Sequence, residues 1–249
     1  MSDSHLRRLH ELNREYPAVD RSTLYREYHL QRFDMLNSED AIPQLLFHIV
    51  PESALDGSRL VDITELEELP VPATCRPSFR PDRLFEHADP TWNHIVARYE
   101  NRKDLSSVAT LYDTGIYEAR GSGLCYPTGH SYDCDYAVSS QDLELSLVTV
   151  LQFYRDVLPD EHSEKVYAIL SGTNLTNATI DQHRQVDRVE AFPEPNRTSR
   201  LTPLSLSDED GIRDQLTPLF RPLSNSQFGY HPGFYYDDEG AWELDEHLE

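Results

Sequence analysis

The stretch from residue 139 to residue 172 constrains the fold most, because it joins a long amphipathic segment to a short, wholly apolar one. Apolar residues recur at helical spacing from Leu143 to Leu158, Ser139 is a suitable N-cap, and Pro159 ends the helix. Residues 166–170 lack polar alternation, which is typical of a strand covered on both faces. The sequence therefore predicts an α/β fold, leaning towards α+β, with a mixed sheet packed by this helix.

The rest of the chain predicts one domain of 249 residues, without internal repeats. We expect a helical N-terminal extension over 1–40, an α/β core over 41–192, and a C-terminal helix with an aromatic hairpin over 205–249. Within these regions, helices are predicted at 4–16, 21–36 and 208–223, strands at 44–50, 107–113, 116–120 and 188–192, a helical turn at 52–55, an edge segment at 61–63, and a hairpin turn at Thr114-Gly115.

The charge of the chain bears on both its environment and its partners. Asp and Glu number 44 against 22 Lys and Arg, for a net charge of −22, and the lysines are Lys103 and Lys165. An acidic, lysine-poor composition is typical of proteins of a salt-rich, haloarchaeal cytoplasm, where screening weakens self-repulsion. The same charge repels phosphate and disfavours direct nucleic-acid binding.

Other sequence-wide features agree with a cytoplasmic location. The N-terminus is polar, and no apolar run approaches the length of a membrane span. Three cysteines, an odd number, fit a reducing compartment better than a disulfide framework. Ten scattered glycines form no phosphate-binding loop, so no nucleotide cofactor is predicted.

Several short motifs resemble the region that follows the Schlafen-type AlbA-like domain in prokaryotic "ATP-binding" proteins. They are found at 46–53, 112–118, 167–172, 228–230 and 238–242. The resemblance implies a non-catalytic accessory or interaction domain of such regulators, with a protein partner such as an AlbA-like module. The signature of the AlbA-like module itself is absent here, so its nucleic-acid or nucleotide function is not carried over to any residue.

Asp113 is the candidate catalytic residue of an alternative, hydrolase interpretation. Residues 111–115, LYDTG, match the half-site of an aspartic peptidase, in which two Asp carboxylates share a proton. Such peptidases are all-β, however, and the helix at 141–158 has no place in them. A hairpin turn is the simpler explanation of an Asp followed by a Gly.

A zinc site is the second alternative. Cys125, His130 and Cys134 are suitable ligands, with Cys75 or Asp135 as a fourth. The spacing is loose and contains no C-x2-C pair. A metal-dependent hydrolase at these residues therefore stays an open alternative to a turn.

His48 is the one histidine placed inside a strongly apolar strand, residues 44–50. The default interpretation of such a residue is a satisfied core or inter-strand histidine.

Overall fold

The structure is a computed structural model. It describes residues 11, 13–14, 20–34, 42–56, 58–66, 74, 84–86, 94–100, 106–128, 134–159, 162, 165–181, 192, 194–207, 215–220 and 223.

The described part of the chain alternates short strands with two substantial helices. The helices are α1 (Arg21–Asp34), α2 (Ser140–Val157) and the single turn α3 (Thr217–Phe220), and Glu52–Asp56 and Leu175–Asn177 are 3-10 turns. The strands are β1 (Gln44–Pro51), β2 (Leu84–Glu86), β3 (His94–Glu100), β4 (Ser106–Tyr112), β5 (Tyr117–Gly121), β6 (Cys125–Pro127), β7 (Tyr136–Ser139), β8 (Val166–Thr173), β9 (Ala178–Asp181), β10 (Arg197–Thr198) and β11 (Thr202–Leu204).

The strands form two sheets. In the larger sheet the order is β10-β8-β1-β5-β4-β3-β2, with β11 also pairing with β8, and every described pairing is antiparallel. The smaller sheet has the order β6-β7-β9, and its β7–β9 pairing is parallel. Together with the helices, this confirms the predicted mixed α and β class. The mixed strand pairing lies in the small sheet, whereas the described large sheet is antiparallel.

Strand β1 lies inside the large sheet and divides the core into two layers. Because side chains alternate along a strand, Leu45, Phe47 and Ile49 face α2 and join the main apolar core. Val50 faces the opposite way and packs with residues of α1 in a second, smaller cluster. Both faces of the central sheet are therefore covered, each by a different helix.

The predicted α2–β8 unit is confirmed. The Ser139 side chain accepts a hydrogen bond from the Asp142 backbone N–H, 3.3 Å, and the Leu158 N–H closes the helix on the Tyr154 carbonyl. Strand β8 follows at Val166, and seven of its eight residues are buried. An amphipathic helix that returns the chain into a covered strand thus forms the centre of the molecule.

The predicted hairpin is also confirmed, as β4–β5. Gly115 has a φ of +80°, in the left-handed region that glycine adopts without strain. Its N–H donates to the Tyr112 carbonyl, 2.9 Å, and its own carbonyl accepts a hydrogen bond from the Tyr154 hydroxyl of α2. The hairpin turn is therefore tied to the central helix.

Two predictions about local structure were wrong. Residues 61–63 are a bend and a turn, not an edge strand, because the Leu60 and Val61 N–H groups both donate to the Asp113 carbonyl and no ladder continues from there. Cys125, predicted in a loop, begins strand β6.

Other predictions concern the N- and C-terminal parts of the chain. The helix at 21–36 is confirmed as Arg21–Asp34. Of the helix predicted at 208–223, the described residues show only Thr217–Phe220 as helical, and the aromatic hairpin at 228–242 lies outside the described residues.

Candidate functional site

A chain of polar side chains is buried between helix α1 and the large sheet. His29 and Arg32 come from α1, His48 from β1, Glu118 from β5 and Ser171 from β8. All five are buried, and His29, His48 and Ser171 have an exposed fraction of 0%. This is the largest connected polar cluster that the described hydrogen bonds form in the core.

Helical and strand periodicity bring these residues together. His29 and Arg32 are three positions apart, so they lie on the same face of α1 as Tyr25 and Tyr28. In the sheet, His48 is the register partner of Glu118 on one side and of Ile169 on the other. The side chains at these paired positions of β1, β5 and β8 therefore point towards the same helix, α1.

Glu118 holds the cationic end of the chain in place. Arg32 forms a bidentate ion pair with Glu118. Its Nε lies 2.7 Å from Oε2, and a terminal guanidinium nitrogen donates to Oε1. His48 Nε2 lies 3.0 Å from the same Oε2. Burial alone would raise the pKa of the carboxyl, but hydrogen bonds from His48 and Arg32 outweigh it and hold that pKa well below its ordinary value. Glu118 is therefore ionised.

The two imidazoles meet through their Nδ1 atoms, which are 2.8 Å apart. His29 Nε2 lies 2.7 Å from Ser171 Oγ, whose hydroxyl donates to Thr198 Oγ1 at 2.8 Å. Two nitrogen ligands of a tetrahedral zinc ion would lie about 3.3 Å apart, given Zn–N bonds of about 2.0–2.1 Å. The shorter distance is that of a direct N–H···N hydrogen bond.

Burial and the neighbouring His48 lower the pKa of His29 well below the ordinary value, so His29 is neutral at neutral pH. The Tyr28 ring packs against His48 in a tilted arrangement, with ring centroids 5.3 Å apart, and burial raises the pKa of its phenol. The cluster is thus a set of hydrogen bonds enclosed by aromatic and apolar side chains. These hydrogen bonds connect helix α1 to strands β1, β5 and β8.

Asp113 lies in the β4–β5 turn, away from this cluster. Its Oδ2 is 3.1 Å from Nε of the exposed Arg59, and its backbone carbonyl accepts hydrogen bonds from two N–H groups. Burial raises the pKa of the Asp113 carboxyl, while Arg59 acts in the opposite direction. The turn geometry explains the DTG pattern, and the Asp113 carboxylate forms an ion pair with Arg59.

The predicted zinc ligands are only partly within the described residues. Cys125 is buried, and its thiol donates to the Pro43 carbonyl. Cys134 is buried just before β7. The residue of β7 that is paired with Cys125 is Val138, four positions after Cys134, so the two cysteines are not register partners. Asp135 is exposed and accepts a hydrogen bond from the Asn177 amide.

His130 and Cys75 lie outside the described residues, so the zinc site stays a prediction. Across the ranges that the structure describes, no group of three or more His, Cys, Asp or Glu side chains is arranged to hold a metal ion.

Sequence reasoning singled out His48 alone among the members of the buried cluster. Its default interpretation, a satisfied inter-strand histidine, is confirmed by its hydrogen bonds to Glu118 and His29. The sequence signal for the others was weak, because Arg32 and Glu118 are 86 residues apart and only the fold pairs them. A charged residue between Tyr117 and Ala119 of the predicted hairpin strand, as at Glu118, was the one usable sign.

No family model, no curated protein and no solved structure matches this chain. The resemblance to the Schlafen-associated region therefore stays a prediction. In the part of the chain that the structure describes, no helix is both long and apolar enough to cross a membrane.

Proposed function

We propose that this chain is a non-catalytic, cytoplasmic accessory domain that acts by binding a protein partner, in the manner expected of the region that accompanies AlbA-like modules in Schlafen-type regulators. The observation that carries the proposal is the burial of the polar cluster. The ionisable groups that the fold gathers most closely are enclosed, and they hydrogen-bond to one another.

Catalytic groups need access to a substrate in a cleft. His29 and His48 have none in the described structure, since both have an exposed fraction of 0%. Ser171, although it lies 2.7 Å from a histidine nitrogen, is equally buried and also bonds to Thr198. These distances support a role in docking helix α1 onto the sheet better than a role in attacking a bound molecule.

The charge favours one class of partner. A net charge of −22 attracts basic protein surfaces and repels nucleic-acid phosphate. The resemblance implies that AlbA-like modules bind nucleic acid, and a module that binds phosphate would offer a basic surface. The proposed partner is therefore such a module, with the acidic chain as its companion.

The test is calorimetric titration of the purified chain with a purified AlbA-like module from the same source, at two KCl concentrations. We expect saturable binding that weakens as KCl rises, because complementary charges are screened. Titration with a DNA duplex is the control and should give no binding heat. Absence of binding to the module at both salt concentrations would overturn the choice of partner.

A hydrolase centred on Asp113 is the second candidate, favoured by one observation. Burial raises the pKa of this carboxyl, as expected of a proton donor or of a shared-proton pair. A pepstatin-sensitive peptide cleavage that is lost in Asp113→Asn would establish this candidate in place of the accessory role.

A further inference from the structure

Helix α1 lies on a layer of the molecule that is separate from the main core. Its residues Leu24, Tyr25 and Tyr28 pack in the smaller cluster with Val50 and other side chains of the outer face of the sheet. The main core, on the other face, contains residues of α2 and the alternate residues of the same strands. Removing α1 would therefore leave the packing between α2 and the sheet in place.

Polar contacts hold α1 at two points along its length. At its N-terminal half, the Tyr25 hydroxyl donates to the Pro51 and Glu52 carbonyls, and Arg21 pairs with Asp56 at 2.8 Å. At its C-terminal half, the contact is the buried cluster of His29 and Arg32. The buried cluster is the more consequential of the two, because its groups are shielded from water.

The number of protons in the His29–His48 pair is limited by what each ring nitrogen faces. His48 Nε2 faces the ionised Glu118, so it carries a proton. His29 Nε2 faces Ser171, and it donates when the Ser171 hydroxyl donates to Thr198. Between the facing Nδ1 atoms, 2.8 Å apart, there is room for one proton only. The docked pair therefore accommodates two or three protons, but not four.

A fourth proton would place two N–H groups head to head inside a dry interface. The charged groups around the pair cannot relieve this contact. Arg32 from α1 and Arg120 from β5 add positive charge beside Glu118, which is already engaged by Arg32 and His48. Tyr28 from α1 and Tyr112 from β4 are phenols of the same layer, and burial raises the pKa of the Tyr28 phenol. Two fully protonated histidines are thus compatible only with an undocked helix.

We propose that His29 and His48 form a proton-operated latch, which keeps helix α1 on the sheet while the pair shares a single proton between its Nδ1 atoms and releases the helix when both rings are fully protonated. The latch goes beyond the accessory role proposed above, and it holds whether or not that role is correct.

The direction of the pH effect follows from which state binds more protons. Burial favours the neutral form of His29 when α1 is docked, whereas a histidine exposed to water has an ordinary pKa of about 6.5. Docking is therefore lost as the pH falls below that value, because the undocked pair then binds the fourth proton that the docked pair excludes. Each additional proton bound by the undocked state shifts the docking equilibrium by up to about tenfold per pH unit.

Hydrogen exchange tests the latch directly. Protection factors, corrected for the intrinsic pH dependence of exchange, are measured from pH 7.5 to pH 5 at constant KCl for the amides of 24–33 in α1 and of 166–173 in β8. We expect protection in α1 to fall as the pH drops while protection in β8 is retained. Unchanged α1 protection over this range, or simultaneous loss in α1 and β8, would overturn the proposal.

Substitution identifies the groups responsible. In the double variant His29→Gln and His48→Gln, amides replace the rings as donors and acceptors but take up no proton. We expect the pH dependence of α1 protection to disappear in this variant. His162→Gln is the matched control, because His162 contacts Ser53 at 3.1 Å outside the cluster and should leave the wild-type profile unchanged.

If the double variant does not fold, nitrogen NMR of the wild-type imidazoles gives the decision. We expect one protonated and one unprotonated Nδ1 while α1 is protected, and protonation of both only when that protection is lost. Two protonated Nδ1 atoms in a protein with a fully protected α1 would refute the latch.

Discussion

At the scale of single residues, Glu118 depends on its neighbours for its charge. It is the second residue of strand β5, almost fully buried, and an isolated carboxylate in that position would be neutral or destabilising. The Arg32 guanidinium and the His48 ring supply hydrogen bonds to its ionised form. The bidentate share of this compensation, from Arg32, is present only when α1 is docked.

Arg32→Leu is expected to lower the free energy of unfolding by about 3–5 kcal/mol, because it removes the bidentate partner of the buried Glu118 charge and leaves His48 and the more distant Arg120, at 4.0 Å. Urea denaturation at pH 7 measures the loss. Lys165→Ala is the matched control, since Lys165 pairs with Glu52 in solvent at 3.3 Å and should cost less than about 1 kcal/mol. Equal effects of the two substitutions would show that the buried ion pair contributes no more to stability than the exposed one.

Asp113→Asn is expected to leave the unfolding free energy at pH 7 unchanged or slightly higher. Burial raises the pKa of the Asp113 carboxyl, so its ionised form disfavours the folded state above that pKa, and an uncharged amide removes this penalty. The pairing with the exposed Arg59 that is lost is weak. A clear drop in urea midpoint would mean that the Arg59 pair outweighs burial at this turn.

At the scale of elements, helix α2 shows why some segments are readable from sequence. Its apolar residues recur at helical spacing, its N-cap is a serine, and a proline follows its end. Residues 61–63 place Asp62 between two apolar side chains and have no such pattern of start and stop. Their backbone N–H groups are bound by the distant Asp113 carbonyl, and no local rule could indicate that.

Leu147→Ala in α2 is expected to reduce the free energy of unfolding by about 2–5 kcal/mol, because Leu147 is fully buried in the main core. Thr149→Ala, two positions away on the exposed side, should change it by no more than about 0.5 kcal/mol. Thermal and urea unfolding of both variants at matched KCl measure the difference. A comparable loss at both positions would contradict the assignment of the buried face.

At the scale of the whole molecule, the chain carries a net charge of −22. Self-repulsion of this kind is weakened by salt, whose Debye length falls to about 3 Å at 1 M. The two covered faces of the sheet supply the apolar burial that opposes the repulsion.

We therefore expect the near-UV circular dichroism of the protein to be lost on dialysis below about 0.5 M KCl, as screening decreases. The loss should be reversed when KCl is restored. A native spectrum retained in dilute buffer would show that the composition reflects something other than adaptation to salt.

Local sequence patterns were sufficient to predict the class of fold and its central unit. Helix α2, strand β8, strand β1 and the β4–β5 hairpin were all predicted, because each depends on a local pattern of spacing, capping or turn residues. His48 was correctly interpreted as an inter-strand histidine for the same reason.

The contacts between distant side chains could not be predicted in this way, because they depend on how the chain folds. His29 and Ser171 are 142 residues apart, and the face of the sheet that receives α1 is set by strand order and register, neither of which has a local signature. The same tertiary contacts made the buried polar cluster necessary, since the Glu118 charge on the face covered by α1 requires partners from that helix and from the neighbouring strand.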